Sequence, residues 1–410
     1  MDVVVERVAG LDVHKDTVVA CVRTPGKAGT RNQEIRSFGT MTVDLLGLRD
    51  WLSALGVTRV GMESTGVYWK PVFYVLEDDF ECWLLNAQHL HNVPGRKTDT
   101  ADAAWIAQLT EHGLVRPSFV PPPEIRELRD LTRYRKAQIE ERGREAQRLD
   151  KVLQDAGLKL SSVAADILGK SGRDMLAALV QGTRDPEVLA DLARGALRKK
   201  IPALRRALEG SFRAHHALIV GEILAKLDYL EEVIGRLSDE IDVRMAPFAN
   251  ELELLDTVVG IDRRAAEAII AEIGVDMTVF GSAARLASWA GRCPGNNRSA
   301  GKSKSGHTRR GSKWLGAILA ESAQAAARSK GTYLSAQYAR LAPRRGKAKA
   351  RRAVEHSILV AVYHVLDRKV AYRDLGADWF LKRRPEAHAR RLAGQIEALG
   401  YKVSIEPAAA

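Results

Sequence analysis

The sequence predicts an α/β domain over residues 1–120 and a largely helical remainder. Short apolar, β-branched segments alternate with helical segments as far as residue 113, which favours a sheet with flanking helices. Residues 124–247, in contrast, are rich in Ala, Leu, Glu and Arg, which favour helices. The Pro-rich stretch at residues 117–123 is typical of a joint between two such regions.

The first domain begins with three predicted strands that are apolar and β-branched and are separated by polar turns. Two further strands follow, each after a helix, and a last helix completes the domain. The order of these elements is that of an RNase H-like sheet, in which the first three strands are antiparallel. We expect strands at residues 3–13, 17–23, 35–40, 57–62 and 80–85, and helices at residues 42–56, 68–76 and 98–113.

The helical middle contains an apolar seam with the alternating spacing of three and four residues that is typical of coiled coils. Such a seam requires a partner helix. The partner is either the earlier helix around residues 125–152 of the same chain or a helix of a second subunit, and the spacing does not choose between them. The seam residues are Val220, Ile223, Leu227, Leu230, Ile234, Leu237 and Ile241.

After Leu254 the sequence predicts two short helices joined by a hairpin at Gly260-Ile261-Asp262. Such a hairpin can offer backbone N–H groups to a phosphate, but Asp262 equally suits a plain helical hairpin. Further helices are expected at residues 321–328, 354–367 and 385–399. The predicted domains are therefore 1–120 (α/β), 121–250 (coiled coil), 251–345 (hairpin and serine-rich loop) and 346–410 (basic helical tail).

Positive charge is concentrated in the C-terminal part of the chain. The formal net charge is +12, but residues 292–410 contain 25 Lys and Arg against 8 Asp and Glu, so the first 291 residues are net acidic. This asymmetry indicates a polyanionic partner, and nucleic acid fits better than a membrane surface. The sequence has no apolar run long enough to span a membrane and no signal peptide, so we expect a cytoplasmic, nucleoid-associated protein.

Four acidic residues are predicted to converge at one edge of the sheet. Asp12 ends the first strand and Glu63 ends the fourth, and these two strands are neighbours in an RNase H-like sheet. Asp99 and Asp102 are three residues apart and therefore share one face of a helix. Converging carboxylates repel one another unless cations neutralise them, and two Mg²⁺ ions held by such a set can catalyse phosphodiester transfer.

Residues 289–313 form a predicted loop with seven Lys and Arg, five Gly and no acid. Glycines let a backbone approach a phosphate chain closely, so a loop that only binds DNA fits this composition. A second interpretation is that one serine attacks phosphorus, with the surrounding cations stabilising the alkoxide and the transition state. By composition, the candidates are Ser299, Ser303, Ser305 and Ser312.

Five motifs occur along the chain: GLDVHK at residues 10–15, ESTG at 63–66, KTDTADA at 97–103, PGNNRSAG at 294–301 and HSILVAVYH at 356–364. In order and spacing they resemble the DEDD transposases of insertion-sequence family one-hundred-and-ten. Two positions depart from the usual pattern of that family. Ala300 follows the serine where many relatives have glycine, and Arg292 replaces a more common apolar residue before Cys293-Pro294.

The resemblance implies a RuvC-type nuclease domain, a coiled-coil spacer and a mostly helical transposase domain. It also implies a recombinase that excises and inserts its own element. Asp12, Glu63, Asp99 and Asp102 would bind Mg²⁺, and Ser299 would form a transient phosphoserine with cleaved DNA. The implied partners are the element ends and target DNA, a structured non-coding guide RNA, and further copies of the chain in a dimer or a tetramer on DNA.

Basic residues around the serine and after it are expected to contact nucleic acid. Two other functions stay open: a junction nuclease in which only the carboxylates act, and a non-catalytic nucleic-acid-binding protein. The basic run at residues 344–352 is expected to add phosphate contacts. The expected nucleic-acid contacts are Arg298, Lys302, Lys304, Arg309, Arg310, Lys313, Arg344 and Arg345.

Overall fold

The computed structural model describes residues 3–63, 66–86, 99–294, 298–299, 302–303, 306, 308–309, 311–383 and 385–406. The chain divides after Val120 into two compact units, Met1–Val120 and Pro121–Ala410. Within the described residues, the first unit contains a five-stranded sheet, and the second is helical apart from one short two-stranded ribbon.

The first unit contains the strands β1 (Val8–Val13), β2 (Thr17–Pro25), β3 (Arg31–Gly39), β4 (Arg59–Glu63) and β5 (Glu81–Leu85). Their order in the sheet is β3-β2-β1-β4-β5. β2 is antiparallel to both β1 and β3, whereas β4 is parallel to both β1 and β5. This topology fits the predicted RNase H-like domain.

In the described part of the first unit, three helices cover the sheet: α1 (Thr42–Ala54), α2 (Trp69–Leu76) and α3 (Asp99–Glu111). Successive residues of a strand point to opposite faces, so β1 contributes to two separate layers. Leu11 packs in the apolar core with α1 and α2, whereas Gly10 lies directly beneath α3. Because both faces are covered, every residue of β1 is buried.

Two strands begin at residues that the apolar pattern does not predict. β1 starts at Val8 because the preceding segment is held elsewhere: the N–H groups of Val4 and Val5 donate to the Glu111 carbonyl at 3.0 and 3.1 Å. β3 starts at Arg31, earlier than expected, and Arg31 pairs with Pro25, the last residue of the antiparallel strand β2. β3 is an edge strand with mostly exposed polar residues, so its sequence lacks an apolar signal there.

The second unit contains two long helices, α4 (Pro123–Asp155) and α9 (Ala214–Met245). The intervening segment forms four short helices whose apolar side chains pack against one end of the long pair. These are α5 (Leu160–Val163), α6 (Lys170–Val180), α7 (Pro186–Asp191) and α8 (Ile201–Leu208).

The predicted seam on α9 packs along α4 of the same chain. Cross-helix pairs show that the two helices are antiparallel. Near the middle Arg142 Nε lies 2.9 Å from Glu231 Oε1, and at one end His216 Nε2 lies 3.1 Å from Asp155 Oδ2. Two of the seven seam residues, Ile234 and Leu237, are half-buried. The other five are buried: Val220, Ile223, Leu227, Leu230 and Ile241.

The remaining helices are α10 (Ala249–Asp256), α11 (Arg263–Ile273), α12 (Ala283–Trp289), α13 (Lys313–Arg328), α14 (Tyr333–Arg345), α15 (Lys347–Arg368), α16 (Trp379–Lys382) and α17 (Pro385–Glu397). They include the three helices predicted near residues 321–328, 354–367 and 385–399. Among the described residues, no helix is long and apolar enough to cross a membrane.

The hairpin between α10 and α11 is shaped by packing within the protein. Gly260 has a φ of +89°, and a Cβ on it would lie 2.3 Å from the Ser322 carbonyl oxygen. Only glycine therefore lets the hairpin approach α13 this closely. The Asp262 carboxylate caps α11 by accepting the Ala265 N–H at 2.8 Å. These contacts account for both residues without a bound phosphate and favour the plain helical hairpin.

Candidate active site

Asp12 and Glu63 lie side by side at the carboxyl edge of the sheet. The parallel register pairs Gly10 with Gly61 and Leu11 with Met62, so Asp12 and Glu63 are the next two residues of the same strands. Adjacent strands are about 4.8 Å apart, which brings the two carboxylates into one neighbourhood. The structure thus places the first two predicted site residues together.

Glycines beneath α3 decide which face of the sheet carries these acids. A Cβ on Gly10 would lie 2.2 Å from the Ala107 nitrogen, and one on Gly61 would lie 2.4 Å from Thr110 Oγ1. The helix therefore rests with its backbone on Gly10 of β1 and with its Thr110 side chain on Gly61 of β4. Side chains two residues apart share a face, so Asp12 and Glu63 lie on the side that α3 covers.

The direction of α3 brings its first turn to the same edge. Its last residue, Glu111, is held to the segment before β1, so its first residues lie toward the carboxyl end of β1. Asp102 is half-buried and adjoins Ala103, whose carbonyl oxygen lies above Gly10. Asp99 is the first residue of α3, and its side chain lies outside the described part of the chain.

A buried ionic cluster at the far end of α3 fixes this arrangement. The Glu111 side chain is fully buried, and its Oε2 lies 2.9 Å from Arg23 Nε on β2. Arg31 on β3 pairs with the other carboxylate oxygen. Because a buried carboxylate is stable only when it is paired, these contacts hold α3 in one position along the sheet.

Asp12 is 8% exposed, and its Oδ2 lies 3.2 Å from His14 Nε2. The predicted ligands of this site are all carboxylates, and hard oxygen ligands are what Mg²⁺ prefers. The donor set therefore fits a magnesium ion. The apolar pattern missed His14 and Glu111. A signal for the helix contact was present in the sequence as glycine two residues before each acid, in Gly10-Leu-Asp12 and Gly61-Met-Glu63.

A second group of potential ligands, Asp155, His215 and His216, lies at one end of the long helix pair. His216 Nδ1 accepts the Arg213 N–H at 3.0 Å, which places the ring proton on Nε2. That proton points to Asp155 Oδ2. Neither ring nitrogen of His216 therefore has a free lone pair for a metal, which leaves Asp155 and His215 as the potential ligands of this group.

Ser299 lies in a short ribbon of the second unit. Strand β6 (Arg298–Ser299) pairs antiparallel with β7 (Lys302–Ser303), with Ser299 opposite Lys302. Lys302 is exposed. The side chains of Arg298, Ser299 and Ser303 lie outside the described part of the chain, as do Lys304, Ser305 and Arg310.

Two contacts with α15 hold the start of this segment. The Arg292 side chain is 11% exposed and runs over Gly316, and its Nε lies 3.4 Å from Oε2 of the buried Glu355. This ion pair explains why a charged residue is tolerated at this nearly buried position. Cys293 Sγ lies 4.0 Å from His356 Nδ1. Burial raises the pKa of the Cys293 thiol and lowers the pKa of His356.

Ser312 holds the other end of the segment. Its hydroxyl oxygen accepts the Leu315 N–H at 3.2 Å, as an N-cap of α13, and its proton is donated to Glu272 Oε2 at 2.8 Å. Glu272 is also paired with Arg133. A hydroxyl committed to a cap and to a paired carboxylate is a poor nucleophile, so the structure argues against Ser312 among the four serines.

The predicted basic contacts fall into two groups. Arg309, Lys313, Arg344 and Arg345 are exposed, as a phosphate contact requires. In the basic run at residues 344–352, two members have a different role. Both Arg351 and Arg352 pair with the buried Glu355, in contacts of 3.5 and 2.7 Å, and so contribute to the same cluster as Arg292.

Comparison with protein families gives two matches. A transposase family of the IS110 DEDD type matches residues 9–157, and the transposase IS116/IS110/IS902 family matches residues 252–339. Together these matches cover more than half of the chain. The first includes all four predicted carboxylates and the second includes Ser299. A search of curated proteins gives no match.

Proposed function

Because the chain belongs to the IS110 family of DEDD transposases, and is therefore a DNA transposase, we propose that it excises and inserts its element by Mg²⁺-dependent strand cleavage and transfer through Ser299. The observation that carries this proposal is the seating of α3 on Gly10 and Gly61, which gathers carboxylate positions at one edge of the sheet. The packing of α3 on the sheet does not by itself require acidic residues at that edge.

In this mechanism the carboxylates hold cations and position DNA. Asp12 and Glu63 on the strands, with Asp99 and Asp102 on α3, would bind Mg²⁺. When bound, Mg²⁺ stabilises negative charge on the phosphate and on the leaving oxygen. Asp12 is nearly buried, so its orientation is set by β1, and His14 at 3.2 Å restricts it further.

Ser299 is the proposed nucleophile. Its hydroxyl gives up its proton as the oxygen attacks a backbone phosphorus, the Oγ–P bond forms, and the bond to the leaving sugar oxygen breaks as that oxygen takes up a proton. Attack on the phosphoserine by a sugar hydroxyl of a second strand reverses these changes and frees the serine. Neighbouring cations such as Lys302, which is opposite Ser299 in the ribbon, would stabilise the transition state.

The experiment that tests the carboxylates is an excision assay on a plasmid carrying the element. Asp12→Asn keeps the shape of the side chain but removes its charge, so we expect strand cleavage to fall by at least about 10³-fold. Asp78→Asn is a matched control, because Asp78 is exposed in the turn after α2. Equal activity of both variants would contradict a catalytic role for the carboxylates.

The same assay tests the serine. Ser299→Ala should abolish excision and the covalent protein–DNA product that denaturing gels detect. Ser303→Ala, on the facing strand of the ribbon, should retain both. Cleavage that persists in Ser299→Ala would instead support the junction nuclease, and cleavage lost only in Ser303→Ala would move the nucleophile to that residue.

We also propose that the protein acts as a homo-oligomer with a structured guide RNA. The long helix pair would serve as the coiled-coil spacer, and the carboxylates of one subunit would act with the serine of another. The strongly basic C-terminal part supports RNA binding. Mixing Asp12→Asn with Ser299→Ala checks the arrangement, since oligomers containing both variants should recover part of the excision activity that each variant lacks alone.

A further inference from the structure

A cavity of about 620 Å³ lies beside α15 in the second unit and is separate from the residues proposed for catalysis. Its wall contains Tyr333, Ser357, His364, Arg368, Tyr372 and Arg373. We call it the α15 cavity. Its volume is in the range of small-molecule sites in proteins, and it combines aromatic, hydroxyl and cationic groups.

One face of α15 supplies the polar side of this wall. Ser357, His364 and Arg368 recur at intervals of seven and four residues, which places them along one face of the helix. His356, one residue before Ser357, also lines the cavity and lies 4.0 Å from Cys293. The cavity therefore adjoins the first residues of the segment that carries Ser299.

The loop after α15 forms the opposite wall, and its conformation is costly. Lys369 has a φ of 53°, the only positive φ of a non-glycine residue in the described chain. This left-handed turn folds the chain back over the helix that it has just left. The loop is then held by the Tyr372 N–H, which donates to Thr257 Oγ1 at 2.9 Å.

Asp374 is the acid nearest the tyrosines, and its oxygens are already used. It accepts the Tyr333 N–H at 3.0 Å, the Gly376 N–H at 2.8 Å and the Tyr372 hydroxyl at 3.3 Å. Burial raises the pKa of Tyr333 and of Tyr372, so both phenols stay neutral. The charged side chains that line the cavity are those of Arg368 and Arg373, and among the described residues no ion pair is found for either.

An aromatic and cationic surface continues from the cavity on its Tyr333 side. The Tyr333 ring stacks on Phe380 with centroids 5.0 Å apart, and Trp379 meets Tyr333 edge-on at 5.2 Å. Arg340 lies 4.3 Å from the Phe380 ring and Arg383 lies 5.1 Å from the Trp379 ring. The three rings therefore form a cluster flanked by two guanidinium groups, and aromatic rings next to cations are typical of surfaces that bind single-stranded nucleic acids.

We propose that the α15 cavity binds one unpaired nucleotide, with its base against Tyr372 and His364 and a neighbouring phosphate on Arg368 or Arg373. The proposal rests on the proposed function, which brings a DNA strand and a guide RNA to this unit. An unpaired base offers a flat face for the rings, and its phosphate offers the anion that the arginines lack. A nucleotide held here would anchor a strand next to the segment that carries Ser299.

The experiment measures by fluorescence anisotropy how tightly the protein binds two strands of ten nucleotides. The strands, oligo(dT) and a fully abasic strand, carry the same phosphates. The wild-type protein should bind oligo(dT) more tightly. Tyr372→Ala should weaken oligo(dT) binding about tenfold and leave the abasic strand unchanged. Tyr372→Phe keeps the ring and should behave like the wild type, and so should Tyr229→Ala, which removes an exposed tyrosine of α9.

A second measurement does not depend on a variant that folds. Oligo(dT) in which 5-iododeoxyuridine replaces each base should crosslink on irradiation to the peptide that contains Tyr372. An oligo(rU) strand with the corresponding iodinated base, tested in parallel, shows whether the protein binds the nucleotide more tightly in DNA or in RNA. Crosslinks that avoid the α15 cavity, or equal binding of base-bearing and abasic strands, would overturn the proposal. In either case the proposed function stands if excision still depends on Asp12 and Ser299. A protein that binds no strand would overturn both the cavity proposal and the proposed function.

Discussion

The two regions that carry the candidate catalytic groups are held in different ways. At the carboxylate edge, positions are set by regular elements: β1 and β4 pair in register, and α3 rests with its backbone on Gly10 and with its Thr110 side chain on Gly61. The serine segment, residues 289–313, is in contrast held near its two ends, by Arg292 on Glu355 and by Ser312 on Glu272.

This difference has a consequence for how each region responds to mutation. A backbone contact cannot adjust to an added atom, so damage at the carboxylate edge should affect the stability of the whole first unit together with catalysis. A segment held by side-chain pairs at its ends can lose one of them and keep the other. Changes there should reduce strand transfer in steps and leave the sheet intact.

The largest effect is expected from Gly10→Ala. Its Cβ would lie 2.2 Å from the Ala107 nitrogen and 2.3 Å from the Ala103 oxygen, so α3 must move away from the carboxylates. We expect the variant to lose about 3 kcal/mol or more of stability and to have no measurable strand cleavage. Thermal unfolding and the excision assay measure the two effects.

Gly47→Ala is the matched control, because Gly47 is exposed in α1 and a Cβ there meets nothing within 4 Å. A helical glycine without such a contact should gain about 0.5–1 kcal/mol when replaced by alanine. The two substitutions should therefore change stability in opposite directions. A Gly10→Ala protein as stable as the wild type would mean that α3 is not seated on β1.

The next largest effect is expected from Glu355→Gln. Glu355 is 1% exposed and pairs with Arg292, Arg351 and Arg352, so its loss leaves three guanidinium groups around a neutral side chain. We expect a loss of about 3 kcal/mol in the second unit and a matching fall in strand transfer. Glu240→Gln, which breaks the exposed pair with Arg244, should have a much smaller effect on stability, because solvent screens exposed ion pairs.

Mg²⁺ binding by the Glu355→Gln variant tests whether the two regions are independent. Titration of the metal, followed by calorimetry, should give the same affinity for Glu355→Gln as for the wild type, because the carboxylate edge lies in the first unit. A weaker Mg²⁺ affinity would show that the serine segment and the carboxylates are coupled and do not respond to mutation independently.

Much of the carboxylate edge could be predicted from local sequence. Strand ends and a helix with two acids three residues apart are short-range patterns, and parallel strands bring their carboxyl ends to one edge. Even the seat of α3 had a local signal, in the glycines two residues before Asp12 and Glu63. The antiparallel partner of the seam on α9 had no such local signal, because heptad spacing specifies a partner surface but not the chain that supplies it.

The contacts around the serine segment could not be predicted in this way. Arg292 and Glu355 are far apart in sequence, and the basic run that includes Arg351 and Arg352 has the composition of a phosphate-binding surface. Ser312 likewise matches the other serines in composition, and only the geometry of Glu272 and Leu315 distinguishes it. Long-range side-chain pairs leave no periodic signal in a sequence.

A smaller effect is expected from Ser312→Ala. The variant loses the cap of α13 and the hydrogen bond to Glu272, so its unit should lose about 1 kcal/mol while strand transfer persists. Ser282→Ala removes a comparable cap, on the Arg285 N–H at 3.3 Å, and serves as the control. Loss of the covalent protein–DNA product in Ser312→Ala would reassign the nucleophile to Ser312.

The smallest effect is a dependence on pH at the start of the serine segment. Burial lowers the pKa of His356 from its ordinary value of 6.5, so the unfolded chain binds more protons than the folded one just below that pH. The stability of α15 should therefore be fully present above about pH 6.5 and should decline as the pH falls below it. Hydrogen exchange, corrected for its intrinsic pH dependence, should show α15 opening more at pH 5.5 than at pH 7.5. His356→Gln should reduce this difference in α15 and leave β1 unchanged; the same response in both elements would remove the distinction between the two regions.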